Sequence, residues 1–173
     1  YRYWAWLHRE LRPYFLSYAV RMHEDPRRAV LRAGLSPYSM RVGNEIFVPL
    51  VTEFTRTLDF RLPFGTWVDY WNEQRTVSGE VVGEPVPLGR EPVFLRLGAI
   101  IPLEVQRDYT GHGTRESAGS LTVLVYPNGT TSFRYYEAAT AVWTTFTSVR
   151  SGTSITLDAV PGPTVPILYR IGR

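Results

Sequence analysis

LPFGTWVDYWNE (residues 62–73) and VPLGREPVFLRLGAIIPL (86–103) decide how the chain folds. Each is a short run rich in β-branched and aromatic residues, bounded by Gly and Pro, which is the signature of strands rather than helices. Thr66 to Trp71, Pro92 to Leu97 and Ala99 to Leu103 are read as strands. On a strand, Trp67, Asp69 and Trp71 share one face and Val68 and Tyr70 the other. Gly98 sits between two apolar runs, where a bulge or tight strand-to-strand bend needs freedom at φ.

Moving outward, the same texture continues on both sides. Glu45 to Val51, Thr55 to Arg61, Leu121 to Tyr126, Ser132 to Glu137, Ser154 to Leu157 and Ile167 to Ile171 are further short strands separated by Gly, Pro and Asn. Strands at this spacing predict a sandwich or barrel. Asn128-Gly129, between two alternating segments, predicts a hairpin turn, because both central positions of a tight turn need positive φ. Gln106 to Ser120, rich in Gly, Ser and Thr, reads as a loop or a boundary between two β units.

Only the amino-terminal end has helical spacing. Trp4, Leu7, Leu11, Phe15, Tyr18 and Met22 recur in steps of three and four, predicting one amphipathic helix over residues 1 to about 24. Pro13 lacks a backbone donor and should kink it, and Asp25-Pro26 should end it. Ala29 to Leu35 reads as a short buried strand. The helix stripe needs a partner surface, so the chain should self-associate, aggregate or fold the helix back onto its own sandwich; an isolated strand also offers unpaired edge groups, and both features point toward a homo-oligomer.

Composition narrows the function classes. A chain of 173 residues with 44% hydrophobic and 14% aromatic residues is ample for a packed core. No apolar run is long enough to span a membrane, and the start YRYWAWLHRE lacks the pattern of a signal peptide. A soluble protein is expected, with the cytoplasm slightly favoured. There are no cysteines, which removes disulfides and thiolate metal sites. All 19 basic residues are arginine, and they are dispersed among 16 acidic ones rather than clustered, which argues against nucleic acid as a partner. His8, His23 and His112 have no metal-ligand spacing, and no nucleotide-binding glycine pattern occurs, so neither metal nor cofactor is expected.

Several of these stretches, taken in order, resemble glycoside hydrolase family 31. LRPYFLSYAVRMHE (11–24) is similar to a late barrel helix worded LLPYLYxLxYEAH, and VGNEIFVPLV (42–51) to LGxxLLVAPV, with Asn44-Glu45 in place of Pro-Asp. LPFGTWVDYWNE and PVFLRLGAIIPL resemble LPxGxWYDYWTGE and PVFVRxGAIIPL. LTVLVYPNGTTSFRYYEA (121–138) is similar to LxVxVYPxxxGxFxxYEDDG, although Ala138, Ala139 and Thr140 replace the usual acids and glycine. Residues 139–173 carry no pattern of this kind.

The resemblance implies a mainly β protein: an antiparallel β-sandwich preceded by a helix and strand from the end of a (β/α)8 barrel. Residues 1–38 would complete the barrel, 39–105 form a proximal sandwich, and 106–173 a further β unit, distal or continuing the same sandwich. It also implies a retaining hydrolase of α-linked sugars, of α-glucosidase or α-xylosidase type, whose catalytic Asp residues lie upstream, so that catalytic residues in this chain are none. The barrel, in the same or another chain, is the implied partner. WVDYWNE shares letters with the nucleophile wording WxDMNE, but its spacing differs by one residue and its neighbours place it in the sandwich as a hairpin. Trp67 and Trp71 either fill core, the preferred reading, or form a sugar-stacking platform. The platform would make the chain a free-standing carbohydrate-binding module; a split glycosidase is the remaining alternative.

Overall fold

The computed structural model describes residues 1–172. The chain begins with α1 (Arg2–Glu10) and α2 (Arg12–Glu24), a 3-10 turn at Pro26–Arg28, and β1 (Leu31–Ala33), β2 (Ser39–Val42) and β3 (Ile46–Pro49). It continues with β4 (Thr57–Arg61), β5 (Trp67–Asp69), β6 (Asn72–Val77), β7 (Glu80–Pro85), β8 (Phe94–Arg96) and β9 (Ile100–Leu103). A 3-10 turn at Arg115–Ser117 precedes β10 (Leu121–Val125), β11 (Thr130–Glu137), β12 (Val142–Ser151), β13 (Ser154–Val160) and β14 (Ile167–Ile171).

Two compact units result: Ala29–Leu97, and Tyr1–Arg28 with Gly98–Gly172. The sequence places divisions after residues 38 and 105, whereas contacts divide the chain after 28 and after 97. Strand pairing explains both shifts. β1 pairs with β2, so it belongs with the strands that follow it, and β9 pairs with β10, so it belongs with the later ones. Arg173, the last residue of the expected third segment, lies outside the described residues.

In the unit of residues 29–97, a six-stranded sheet runs in the order β1-β2-β3-β8-β5-β6, and β4 pairs with β7 in a second sheet. All of these pairs are antiparallel. Phe47, Phe60, Leu62, Trp67, Val81 and Phe94, drawn from both sheets and the 62–66 turn, form one core. The rings of Phe47 and Trp67 are 5.9 Å apart and those of Phe60 and Phe94 5.3 Å, separations at which tilted aromatic pairs attract. The expected buried strand over 29–35 is a correction: it shrinks to β1 at the sheet edge, with Leu31 56% and Leu35 64% exposed.

The other unit contains two three-stranded sheets, β14-β10-β9 and β11-β12-β13. β10 is buried at all five positions and pairs antiparallel with β9 but parallel with β14. A parallel neighbour needs a long crossover, and here the entire β11-β12-β13 sheet supplies it. The hairpin expected at Asn128-Gly129 is therefore not formed. Gly129 does adopt φ +57°, but the turn passes the chain from one sheet to another, and β11 pairs instead with β12. Gly98 has φ +97°, and a Cβ there would lie 2.9 Å from the Thr131 methyl, so both backbone and space require glycine.

The expected single helix is two. α1 ends and α2 starts at Leu11, with Pro13 in the first turn of α2, where a missing N–H is tolerated. The buried face runs through Leu7, Glu10, Leu11, Tyr14, Ser17 and Tyr18, rotated from the expected stripe, so that Phe15 is only half-buried and Met22 exposed. That face packs on β11 and β9 of its own unit, with the Tyr14 and Phe133 rings stacked at 5.6 Å. The helix thus folds back onto the strands of its own unit, which is one of the expected outcomes, and the part of the dimer argument built on the stripe loses its basis. No helix among the described residues is long and apolar enough to cross a membrane.

Candidate functional site

The predicted aromatic pair falls on a hairpin, β5 to β6, whose two-residue turn is Tyr70-Trp71. Trp67 lies on β5, is 1% exposed, and donates from Nε1 to the Pro63 carbonyl at 2.9 Å. Trp71 is in the turn, half-buried, and donates from Nε1 to the Glu91 carbonyl at 2.7 Å. Its ring lies edge-on to Tyr70 at 5.0 Å, with the Arg90 guanidinium 5.6 Å from its centre. The alternation expected to put Trp67, Asp69 and Trp71 on one face breaks where the turn begins.

Asp69 closes that turn by accepting the Trp71 main-chain N–H at 2.8 Å, and its other oxygen pairs with Arg75 at 3.0 Å. Arg75, on β6, also holds Glu84 of β7 by a two-nitrogen, two-oxygen contact. Glu84 is buried, so the guanidinium is what makes its charge tolerable there. Hydrogen bonds that Arg75 donates to Glu84 above all, and to Asp69, keep it protonated beyond its ordinary range.

The carboxylates of the other unit are engaged as well. Glu10 is buried and accepts from Thr110; burial raises its pKa despite that bond, helped by the charge of Asp108. Burial also opposes ionisation of Glu137, but Thr164 and Thr140 outweigh it and hold the pKa below the ordinary value. Thr164 gives Glu137 its hydroxyl at 2.6 Å and its N–H at 3.0 Å, and Thr140 gives its hydroxyl at 2.8 Å. Glu10 and Glu137 are thus each held by hydrogen-bond donors.

Two depressions in this unit carry charged or polar side chains in a largely apolar lining. One, of about 580 Å³, is lined by Tyr135, Tyr136, Glu137, Glu104 and Arg12. Burial first, then the charges of Glu137 and Glu104, push the Tyr135 phenol up to about 12. The other, of about 530 Å³, lies between the loop after β9 and the strands β10 and β14, and is lined by Asp108, His112, Ser117, Thr122, Leu168 and Arg170. His112 is buried, and Arg170 donates to its Nδ1 at 3.1 Å and to the Gly111 carbonyl. Burial and the Arg170 charge press the imidazole down to about 4, so the ring is neutral at neutral pH. The loop composition signals none of this, because a histidine's setting is fixed by which strand the loop folds over. No group of three or more metal-ligating side chains occurs among the described residues.

These features accompany a clear kinship. The chain matches the family described as Glycosyl hydrolase family 31 C-terminal domain over residues 11–101, and belongs to it. It is 27% identical over 108 residues to an isomaltosyltransferase of Sporosarcina globispora, covering 60% of this chain and 10% of that protein. A 1,6-alpha-glucosyltransferase of the same organism is 34% identical over 93 residues, covering 51% of this chain and 7% of the relative. Among solved structures, the family 31 dextranase of Flavobacterium johnsoniae aligns with TM-score 0.72 and 28% identity, over 88% of this chain and 21% of that one. The cycloalternan-forming enzyme of Listeria monocytogenes shares the fold, with TM-score 0.82 over 98% of this chain and 18% of its own, at 20% identity. The chain thus spans a tenth or less of the curated relatives it matches and about a fifth of these solved structures.

Proposed function

We propose that this chain is the noncatalytic carboxy-terminal β-sandwich region of a retaining α-glycosidase of α-glucosidase type, and that it braces a (β/α)8 barrel which carries the chemistry. The observation that supports this best is the family match over residues 11–101, joined to alignment of 88% of the chain on one fifth of a dextranase. Retaining cleavage needs two carboxyl groups about 5–5.5 Å apart across the glycosidic bond, one attacking and one protonating the leaving oxygen. In this chain Asp69 and Glu84 are both tied to Arg75, and Glu137 to threonines, so the reacting pair is assigned to the barrel. The sandwich contributes rigidity: buried apolar surface, at about 25 cal/mol per Å², stabilises the elements that hold catalytic loops in productive geometry.

The names of the two curated relatives favour a second reading, in which the parent enzyme transfers the glucosyl unit to another sugar. Both outcomes branch from the same glycosyl-enzyme intermediate, released by water in one case and by a sugar hydroxyl in the other. The platform reading of a free-standing binding module is weakened because Trp67 is enclosed in core.

The test is to read the gene upstream for an in-frame barrel and assay the whole product on nitrophenyl α-glucoside and on maltose, with and without residues 1–173. Activity that needs this region, and none from the region alone, is expected. Full activity and unchanged melting of the barrel without it, or no barrel at all, overturns the proposal. Product analysis separates hydrolysis from transfer.

A further inference from the structure

Tyr135, on β11, is 7% exposed, and its phenol makes no hydrogen bond among the described residues. Thr122, Thr131, Thr144 and Ser148 are unpartnered too, but their oxygens are sealed from any solvent-sized atom. The Tyr135 oxygen is not sealed, and the residue lines the cleft of about 580 Å³. Side chains alternate along β11, so Phe133, Tyr135 and Glu137 share its buried face. Phe133 is covered by Tyr14 of α2, whereas Tyr135 opens on a cleft walled by Pro13 and Leu16 of the same helix, by Leu121 and Val165, and by Glu104 and Glu137.

The chemistry of these walls selects the kind of occupant. The charges of Glu137 and Glu104 both reach the phenol, and the one basic side chain in the lining is Arg12, which pairs with Glu104 at 2.5 Å and is 72% exposed. Two carboxylates against one solvated guanidinium disfavour an anion. A metal ion is disfavoured because no group of three ligating side chains occurs among the described residues, and both Glu137 oxygens are turned to Thr140 and Thr164. A neutral polyol is disfavoured because Pro13, Leu16, Leu121 and Val165 give its hydroxyls no partner.

An organic cation meets each of these conditions. Its N–H groups can donate to the phenol oxygen and to Glu104, whose carboxylate has about four acceptor sites and accepts from Arg12 and Gln106. Its stem can lie along the apolar wall as a lysine stem lies on apolar surface. A ligand that displaces water from the phenol must offer it a polar group in return, and an ammonium head does so. The volume is in the range of small-ligand sites. We infer that this cleft binds an alkylammonium ion, a primary amine with a short apolar stem, its head between Tyr135 and Glu104 and its stem against Leu16 and Val165. The inference rests on the cleft alone and is independent of the parent-enzyme reading above.

Isothermal titration of the full chain with hexylammonium tests this, beside hexanol and hexanoate as neutral and anionic molecules of the same length and maltotriose as a polyol. Saturable binding of hexylammonium, at least tenfold tighter than that of the other three, is expected, and it should weaken at least tenfold in Tyr135→Phe and in Glu104→Gln. Tyr135→Phe keeps the ring and removes no hydrogen bond within the protein, so it should melt with the parent; a merely structural role would move melting and leave the preference for the cation intact. Ala139 is exposed and lines the cleft, so Ala139→Phe should block binding by filling it while the fold is kept. Hexanol bound as tightly as hexylammonium would reduce the cleft to an apolar surface and overturn the inference. Tighter binding of maltotriose, undiminished affinity in Tyr135→Phe or Ala139→Phe, or no saturable heat up to tens of millimolar amine would overturn it as well.

Discussion

Ser17, in the middle of α2, accepts the main-chain N–H of Tyr136 on β11 at 2.9 Å. Its own hydroxyl donates to the Pro13 carbonyl at 2.8 Å, a back-bond to the previous turn. β11 lies at the edge of its sheet, and such an edge exposes N–H groups that attract other chains unless something covers them. The helix provides that cover, and a small hydroxyl at a fully buried position lets it approach. Ser17→Ala should therefore leave the Tyr136 N–H buried without a partner and cost about 1–3 kcal/mol in urea unfolding. An unchanged midpoint would mean that water reaches the strand edge.

The two tryptophans should separate cleanly. Trp67→Ala opens a cavity between two sheets and is expected to cost about 3–5 kcal/mol. Trp71→Ala removes a half-buried ring and a single bond to the Glu91 carbonyl, for about 1 kcal/mol. Thermal melting of the pair side by side checks the ranking, and equal losses would place Trp71 in core as well.

Much of this was legible because it depends on local chemistry. Gly98, bracketed by apolar runs, announces a bend, and the strands on either side of it follow from their β-branched content. The hairpin in WVDYWNE is likewise readable, but the position of its turn is not, because Asp69 caps Trp71 only once Arg75 holds the carboxylate from the next strand. Polar β6 and ten-residue β12 lack an apolar run, so neither is among the strands expected. Asn128-Gly129 has the right residues for a hairpin, yet β10 pairs with β9 along one edge and β14 along the other, which leaves no edge for β11. Partner choice between strands is a tertiary matter that turn residues do not decide. The helix face is misplaced for a related reason: Glu10 and Ser17 are polar, and only their partners Thr110 and Tyr136, far along the chain, make them interior.

Among the described residues, Arg75 is the ion-pair partner of both Asp69 and Glu84. Arg75→Met should strand Glu84 as an unpaired buried charge, at a cost of about 2–3 kcal/mol. That is below the roughly 3–5 kcal/mol of a fully enclosed pair, because the Arg75 side chain is about a third exposed. Adding Glu84→Gln should return most of the loss, and a double-mutant cycle with no coupling would contradict the arrangement.

Acid should weaken the fold in a window set by His112. Its native pKa, about 4, lies below the ordinary 6.5, so between those values the unfolded chain takes a proton that the native chain refuses. The stabilisation is complete above pH 6.5 and is lost as pH falls towards 4; at pH 5 the loss is about 2 kcal/mol relative to pH 7. Glu137, whose pKa is depressed, adds a loss of the same sign, but only below its ordinary 4.5. Glu10 works the other way: its pKa is raised, so its contribution favours the fold at low pH and is lost as pH rises from 4.5 through the raised value. Urea unfolding of the parent and of His112→Gln at pH 7, 6 and 5 distinguishes them. The parent should lose stability across this series, and the variant should be flat or gain slightly as Glu10 takes over. A variant that loses as much as the parent would show that His112 is not the group that titrates.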